Sequence, residues 1–192
     1  MKRLLLLLLL TTAWGCTEYT PKPRGYMRIE PPAPSYHPLA LPELPFDFYV
    51  SQYTQIELAE LGDTANWINV AYPTLGAKLY GSFFHLDVDA IERAIRESNE
   101  LMLRQLRYGT VDSKAFDNPD NGVFATLSTV DGLSPSPLRF IVTDGESAFF
   151  TAALYFHCVM NPDSLAPAIQ YIQRDVEALI ESFTWKLPHA AP

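Results

Sequence analysis

Polar and apolar residues alternate with period two over much of the chain from residue 46 onward. Within 67–72, Ile68, Val70 and Tyr72 fall on one face, and a similar run covers 77–84. The Pro73-Thr74-Leu75-Gly76 sequence between them has turn chemistry, so the pair is predicted to form a hairpin. Residues 46–50 and 55–61 are shorter strand candidates. A three-strand meander is predicted further on: 122–130 ends at Asp131-Gly132, 138–143 ends at Asp144-Gly145, and 148–158 closes it.

Twice the period lengthens to 3.6. Ile91, Ala94, Ile95, Leu101, Met102 and Leu106 draw one stripe. Its start carries two candidate caps, a capping box of Asp89 with Glu92, or Asp87 with a staple of Leu86 and Ile91. Gly109 is the expected stop. The second stripe runs through Leu165, Ile169, Ile172, Val176, Leu179, Ile180 and Phe183. Ser164 or Asp163 would cap it, with Pro167 tolerated in the first turn. Strands joined by tight turns are antiparallel. The expected fold is therefore α+β, an antiparallel sheet of about six to seven strands with two amphipathic helices packed on it. Both helices are expected on one sheet face, as a two-layer sandwich.

Composition narrows the picture. The chain has 192 residues, 48% hydrophobic and 19% charged, enough apolar matter for one domain with its own core. Its net charge of −8 argues against nucleic acid as a partner. Eight of the sixteen prolines fall between 21 and 45, a density that forbids helix and favours stiff, extended chain. Charge shifts along the same stretch. Residues 17–30 carry Lys22, Arg24 and Arg28 against Glu18 and Glu30, whereas everything after 30 is strongly acidic.

The beginning of the chain has the layout of an export signal. Met1-Lys2-Arg3 is basic, residues 4–10 are seven leucines, and small residues lead to Cys16. Ala13 and Gly15 before that cysteine resemble the lipobox that signal peptidase II reads in bacterial lipoproteins. The division expected is a signal peptide over 1–15, lipidated Cys16 with a Pro-rich tether to 45, one domain over 46–187, and a tail over 188–192. With Cys16 acylated, Cys158 would be the sole remaining thiol, so no intrachain disulfide could form. Cys158 lies in an apolar run and is expected to be buried and inert. Thr17, rather than Asp, after the cysteine favours the outer membrane, facing the periplasm.

Candidate chemistry is sparse. His37, His85, His157 and His189 belong to no zinc or metalloprotease spacing, and no nucleophile elbow or phosphate-binding glycine loop occurs. Asp117 and Asp120, in Asp117-Asn118-Pro119-Asp120-Asn121-Gly122, are a candidate cation site, although the same residue types also make a sharp turn. Trp67 and Trp185 read as core or rim aromatics. Nothing here implies a catalytic residue, a resident metal or a cofactor.

Two end segments carry a resemblance. Thr20-Pro21-Lys22-Pro23-Arg24-Gly25-Tyr26-Met27-Arg28-Ile29 is similar to the segment that follows the lipidated cysteine in GldD, a gliding-motility lipoprotein family of Bacteroidetes. Asn161-Pro162-Asp163-Ser164-Leu165-Ala166-Pro167, with Asp175, Leu179-Ile180-Glu181-Ser182-Phe183 and Trp185-Lys186, resembles that family's C-terminal helix. The middle strands agree in Phe140-Ile141-Val142-Thr143-Asp144 and in Ala153-Leu154-Tyr155-Phe156. The resemblance implies a non-enzymatic envelope lipoprotein, required for gliding motility and type IX protein secretion. It would be held by palmitate or another acyl chain on Cys16 and would contact other proteins of that machinery. Lys22, Arg24, Tyr26 and Arg28 are the candidate partner-binding residues, because arginine and tyrosine favour interfaces and a stiff segment loses little entropy on docking. An envelope lipoprotein that binds a small ligand between sheet and helices is the alternative. The element order also resembles the Mog1/PsbP arrangement.

Overall fold

In the computed structural model, which describes residues 33–61, 65–158 and 161–186, eleven strands and two α-helices succeed one another. They are β1 (Tyr36–Pro38), β2 (Phe46–Asp47), β3 (Tyr49–Ser51), β4 (Gln55–Leu61), β5 (Ala65–Tyr72), β6 (Ala77–His85), α1 (Val88–Gln105), β7 (Tyr108–Asn118), β8 (Val123–Leu133), β9 (Leu138–Thr143), β10 (Ala148–Phe156), α2 (Pro162–Glu181) and β11 (Thr184–Trp185). Seven strands make one antiparallel sheet in the order β4-β5-β6-β10-β9-β8-β7. The fold is α+β, two helices on a seven-stranded antiparallel sheet, as the periodicities predict.

The layering differs from the expected sandwich, because the helices lie on opposite faces. On β9 and β10 the alternate residues Phe140, Val142, Phe150, Ala152 and Leu154 join Ile172, Val176, Leu179 and Ile180 of α2 in the main core. Their neighbours Ile141 and Phe149 pack instead with Ile91 of α1. The reason is visible in the strands themselves: all six residues of β9 are buried. A strand that is apolar on both sides needs cover on both sides.

Helix α1 begins at Asp87, whose carboxylate accepts the Ala90 N–H at 2.7 Å. The alternative cap, Asp89, lies within the first turn. The helix ends at Gln105, and Gly109 is not its stop. Gly109 instead sits opposite Gly132 in the β7–β8 ladder, with φ of +113° and +148°. A Cβ on Gly109 would run into the Asp131 carbonyl, and one on Gly132 into the Tyr108 carbonyl. Asp131-Gly132 is therefore a close backbone crossing inside a strand and not a turn. In α2 the cap is Asn161, whose side chain accepts the Ser164 N–H at 3.3 Å, so the helix starts earlier than Ser164 or Asp163 would place it. Pro162 occupies the first helical positions, where a missing N–H costs nothing.

The proline-rich stretch does not remain a spacer up to 45. β1 pairs with β3, β2 pairs with β11, and Leu39 and Leu44 are buried in the main core. Lys186 fastens the same arm from the other end of the chain: its N–H donates to the Pro45 carbonyl, and its Nζ donates to the Leu41 carbonyl, both at 2.8 Å. Phe46, Phe48, Phe83, Phe150 and Phe183 then meet ring against ring under α2. A void of about 10 Å3 lies among Phe48, Ile68 and Phe150, too small to matter to a ligand.

Candidate functional site

Cys16, Lys22, Arg24, Tyr26, Arg28 and His189 lie outside the described residues. Asp117 and Asp120 are both exposed, Asp117 at the end of β7 and Asp120 in the 3-10 turn that leads into β8, where Gly122 closes the turn at φ +59°. Among the described residues, no three His, Cys, Asp or Glu side chains converge on a point that could hold a metal. His85 ends β6, while His157 follows β10, so the pairing of these two strands sets the histidines at opposite ends of the ladder. His37 lies apart from both, in β1. Cys158 is exposed, contrary to its apolar neighbourhood in the sequence, because β10 stops at Phe156 and the chain then leaves the sheet. Trp185 is a core aromatic: buried against Phe83 and Phe183, it donates its indole N–H to the Gly122 carbonyl at 2.9 Å.

Two buried charges stand out. The first is Asp175, in the middle of the apolar stripe of α2 and only 6% exposed. Its Oδ1 accepts the Tyr36 hydroxyl at 2.9 Å, while its Oδ2 is buried without a partner. This bond fastens β1, the first of the described strands, to α2. Burial raises the Asp175 carboxyl above its ordinary range, opposed chiefly by the hydrogen bond from Tyr36 and by the Arg174 charge. Burial, the hydrogen bond and the charge of Asp175 together push the Tyr36 phenol up to about 12. The phenol thus stays protonated and donates.

The sign for stability follows from binding the proton more tightly in the folded state. Asp175 favours folding below the carboxyl's unfolded pKa, and this contribution is lost as pH rises through its raised folded value. An asparagine in its place could still accept from Tyr36 without carrying charge. Denaturation midpoints of Asp175→Asn and wild type are therefore expected to diverge from pH 4 to pH 7.5, with the variant gaining. Parallel midpoints across that range would contradict the buried-charge reading.

The second charge is Arg139 on β9, 8% exposed, on the sheet face under α1. Its Nη1 donates to the Ser98 carbonyl and hydroxyl, both at 3.3 Å, and its Nε is buried without a partner. It lines a cleft of about 310 Å3 between α1 and the sheet. A second cleft, about 200 Å3, lies between Ile95 and Asn99 of α1 and Phe124, Thr126 and Ile141 of the sheet. Both exist because α1 covers its face thinly, with only Ile91 and Met102 fully buried. Among the described residues, the hydrogen-bond partners of these two charges are Tyr36 and Ser98.

Compared with known proteins, residues 16–185 match the family described as "Gliding motility lipoprotein GldD". No curated protein matches the chain.

Proposed function

Because the chain belongs to the GldD family of gliding motility lipoproteins, and so to proteins anchored to a membrane of the cell envelope, we propose that it is a non-enzymatic assembly or stabilising component of the machinery for gliding and type IX secretion. The observation that carries this reading is the extent of the family match, which takes in Cys16 and the segment before the fold as well as the body. The family is not known to be enzymatic.

In this reading residues 1–15 are removed and Cys16 is acylated. One acyl chain holds a protein only marginally, while each buried methylene contributes about 0.8 kcal/mol, so a durable anchor carries several chains. Thr17 directs the protein to the outer membrane, with the body in the periplasm. The chain from Cys16 to Tyr36 spans at most about 70 Å, which bounds how far the body can stand from the bilayer. The Tyr36–Asp175 bond fixes where that tether meets the body.

Lys22, Arg24, Tyr26 and Arg28 then dock against a neighbouring envelope protein of the machinery. Stiff, proline-rich chain gives up less entropy on binding than a flexible tail would. The double substitution Arg24→Glu with Arg28→Glu is expected to abolish secretion and gliding while the protein accumulates at its normal level, and crosslinking with mass spectrometry on intact cells should lose contacts from this segment. Normal secretion at a normal protein level would contradict the docking.

A further inference from the structure

The geometry points to the cleft between α1 and the sheet as a binding site for a small monocarboxylate with an apolar body, its charged end held by Arg139. This inference is independent of the docking of residues 22–29 and uses only the folded body.

Arg139 stands where an apolar residue would be expected. It interrupts a strand whose other members are Leu, Phe, Ile, Val and Thr, and it is more than nine-tenths buried. Burying a cation is costly unless an anion and hydrogen bonds compensate it. Among the described residues no carboxylate forms an ion pair with it; its hydrogen bonds are the two long ones from Nη1 to Ser98. The opposite edge of a guanidinium, Nε with Nη2, is the fork that grips a carboxylate through two parallel bonds. Here the buried Nε of that edge has no partner. Ser98 thus holds the group through Nη1 and leaves the buried Nε, one half of the anion-binding edge, without a partner.

The surrounding walls select the rest of the ligand. Phe149 floors the cleft, Leu101 borders it from α1 and Tyr80 from β6. Leu101 and Tyr80 are 39% and 43% exposed, which leaves apolar surface for a ligand to cover. Glu97, exposed at the α1 rim, disfavours a second negative charge on the ligand. At about 310 Å3 the cleft sits at the small end of ligand sites.

The test uses the full chain in detergent and three probes: 3-phenylpropionate, its neutral counterpart 3-phenyl-1-propanol, and inorganic phosphate. The Nε–H resonance of Arg139, identified by its disappearance in Arg139→Lys, reads the titration. The acid is expected to move this resonance downfield and saturably, and to bind at least about tenfold more tightly than either the alcohol or phosphate. Arg139→Gln should reduce the acid to the affinity of the alcohol. Leu101→Trp, which narrows the cleft from the α1 side and keeps Arg139 in the chain, should abolish binding even if Arg139→Gln fails to fold. Equal affinity for acid and alcohol would overturn the role of Arg139, and equal affinity for acid and phosphate would overturn the role of the apolar walls. No saturable shift up to about 10 mM acid would overturn the site itself.

Discussion

Replacing Phe46 by alanine is expected to lower the unfolding free energy by about 3–5 kcal/mol. The side chain is fully buried. Its ring stacks on Phe48 and Phe183 at 5.7 Å, meets Phe150 edge-on at 5.0 Å, and tilts against Phe83 at 5.7 Å. Those partners come from β6, β10, the N-terminal arm and the turn between α2 and β11, so one truncation opens a cavity that four separate parts of the chain line. Relaxation is limited because each partner is itself held by others: Phe150 also packs on Phe140, and Phe183 on Trp185. Denaturant unfolding should show a lower midpoint with an unchanged slope. Tyr49→Ala, three residues on and 47% exposed, should cost about 0.5 kcal/mol or less. A loss below about 1 kcal/mol for Phe46→Ala would mean that the arm merely lies on the body and does not complete its core.

That arm was hard to read in the sequence for a physical reason. Proline density correctly argues against helix and interior strand, but it does not forbid short two- and three-residue pairings at the rim of a fold. The leucines between the prolines, Leu39 and Leu44, were the available signal, since a solvated spacer has no use for them. β7 escaped for the opposite reason. It is an edge strand in which most residues are exposed, so its pairing with β8 leaves no apolar alternation in 108–118. The central strands were legible because burial writes a pattern. Their two-sided burial was legible too, in the unbroken run Phe140-Ile141-Val142, and it rules out a sandwich with one covered face.

The candidate site follows the same logic. Asp175 and Arg139 are charges at positions where the period calls for an apolar residue: Asp175 falls between Ile172, Val176 and Leu179 on the buried stripe, and Arg139 lies inside a strand apolar on both faces. Both breaks are visible in the sequence. What is not visible is the far partner, since Tyr36 and Asp175 are 139 residues apart and Ser98 and Arg139 are 41 apart. Cys158 shows the converse error, an apolar neighbourhood that ends just before the residue itself.

The other large effect concerns the membrane. If Cys16 carries the anchor, Cys16→Ala removes every buried acyl methylene at once, at about 0.8 kcal/mol each, and leaves the body with nothing comparable. Among the described residues no helix is long and apolar enough to cross a bilayer, and the described fold buries its aromatic cluster internally. Durable attachment of the mature chain should therefore depend on this one side chain, and gliding should fail with it although the body folds normally. The most direct measurement is metabolic labelling of whole cells with radioactive palmitate, followed by fractionation. Wild type is predicted to carry the label and sediment with membranes, and Cys16→Ala to be unlabelled. An unlabelled wild-type chain found free of membranes, or a Cys16→Ala chain still labelled, would contradict the account.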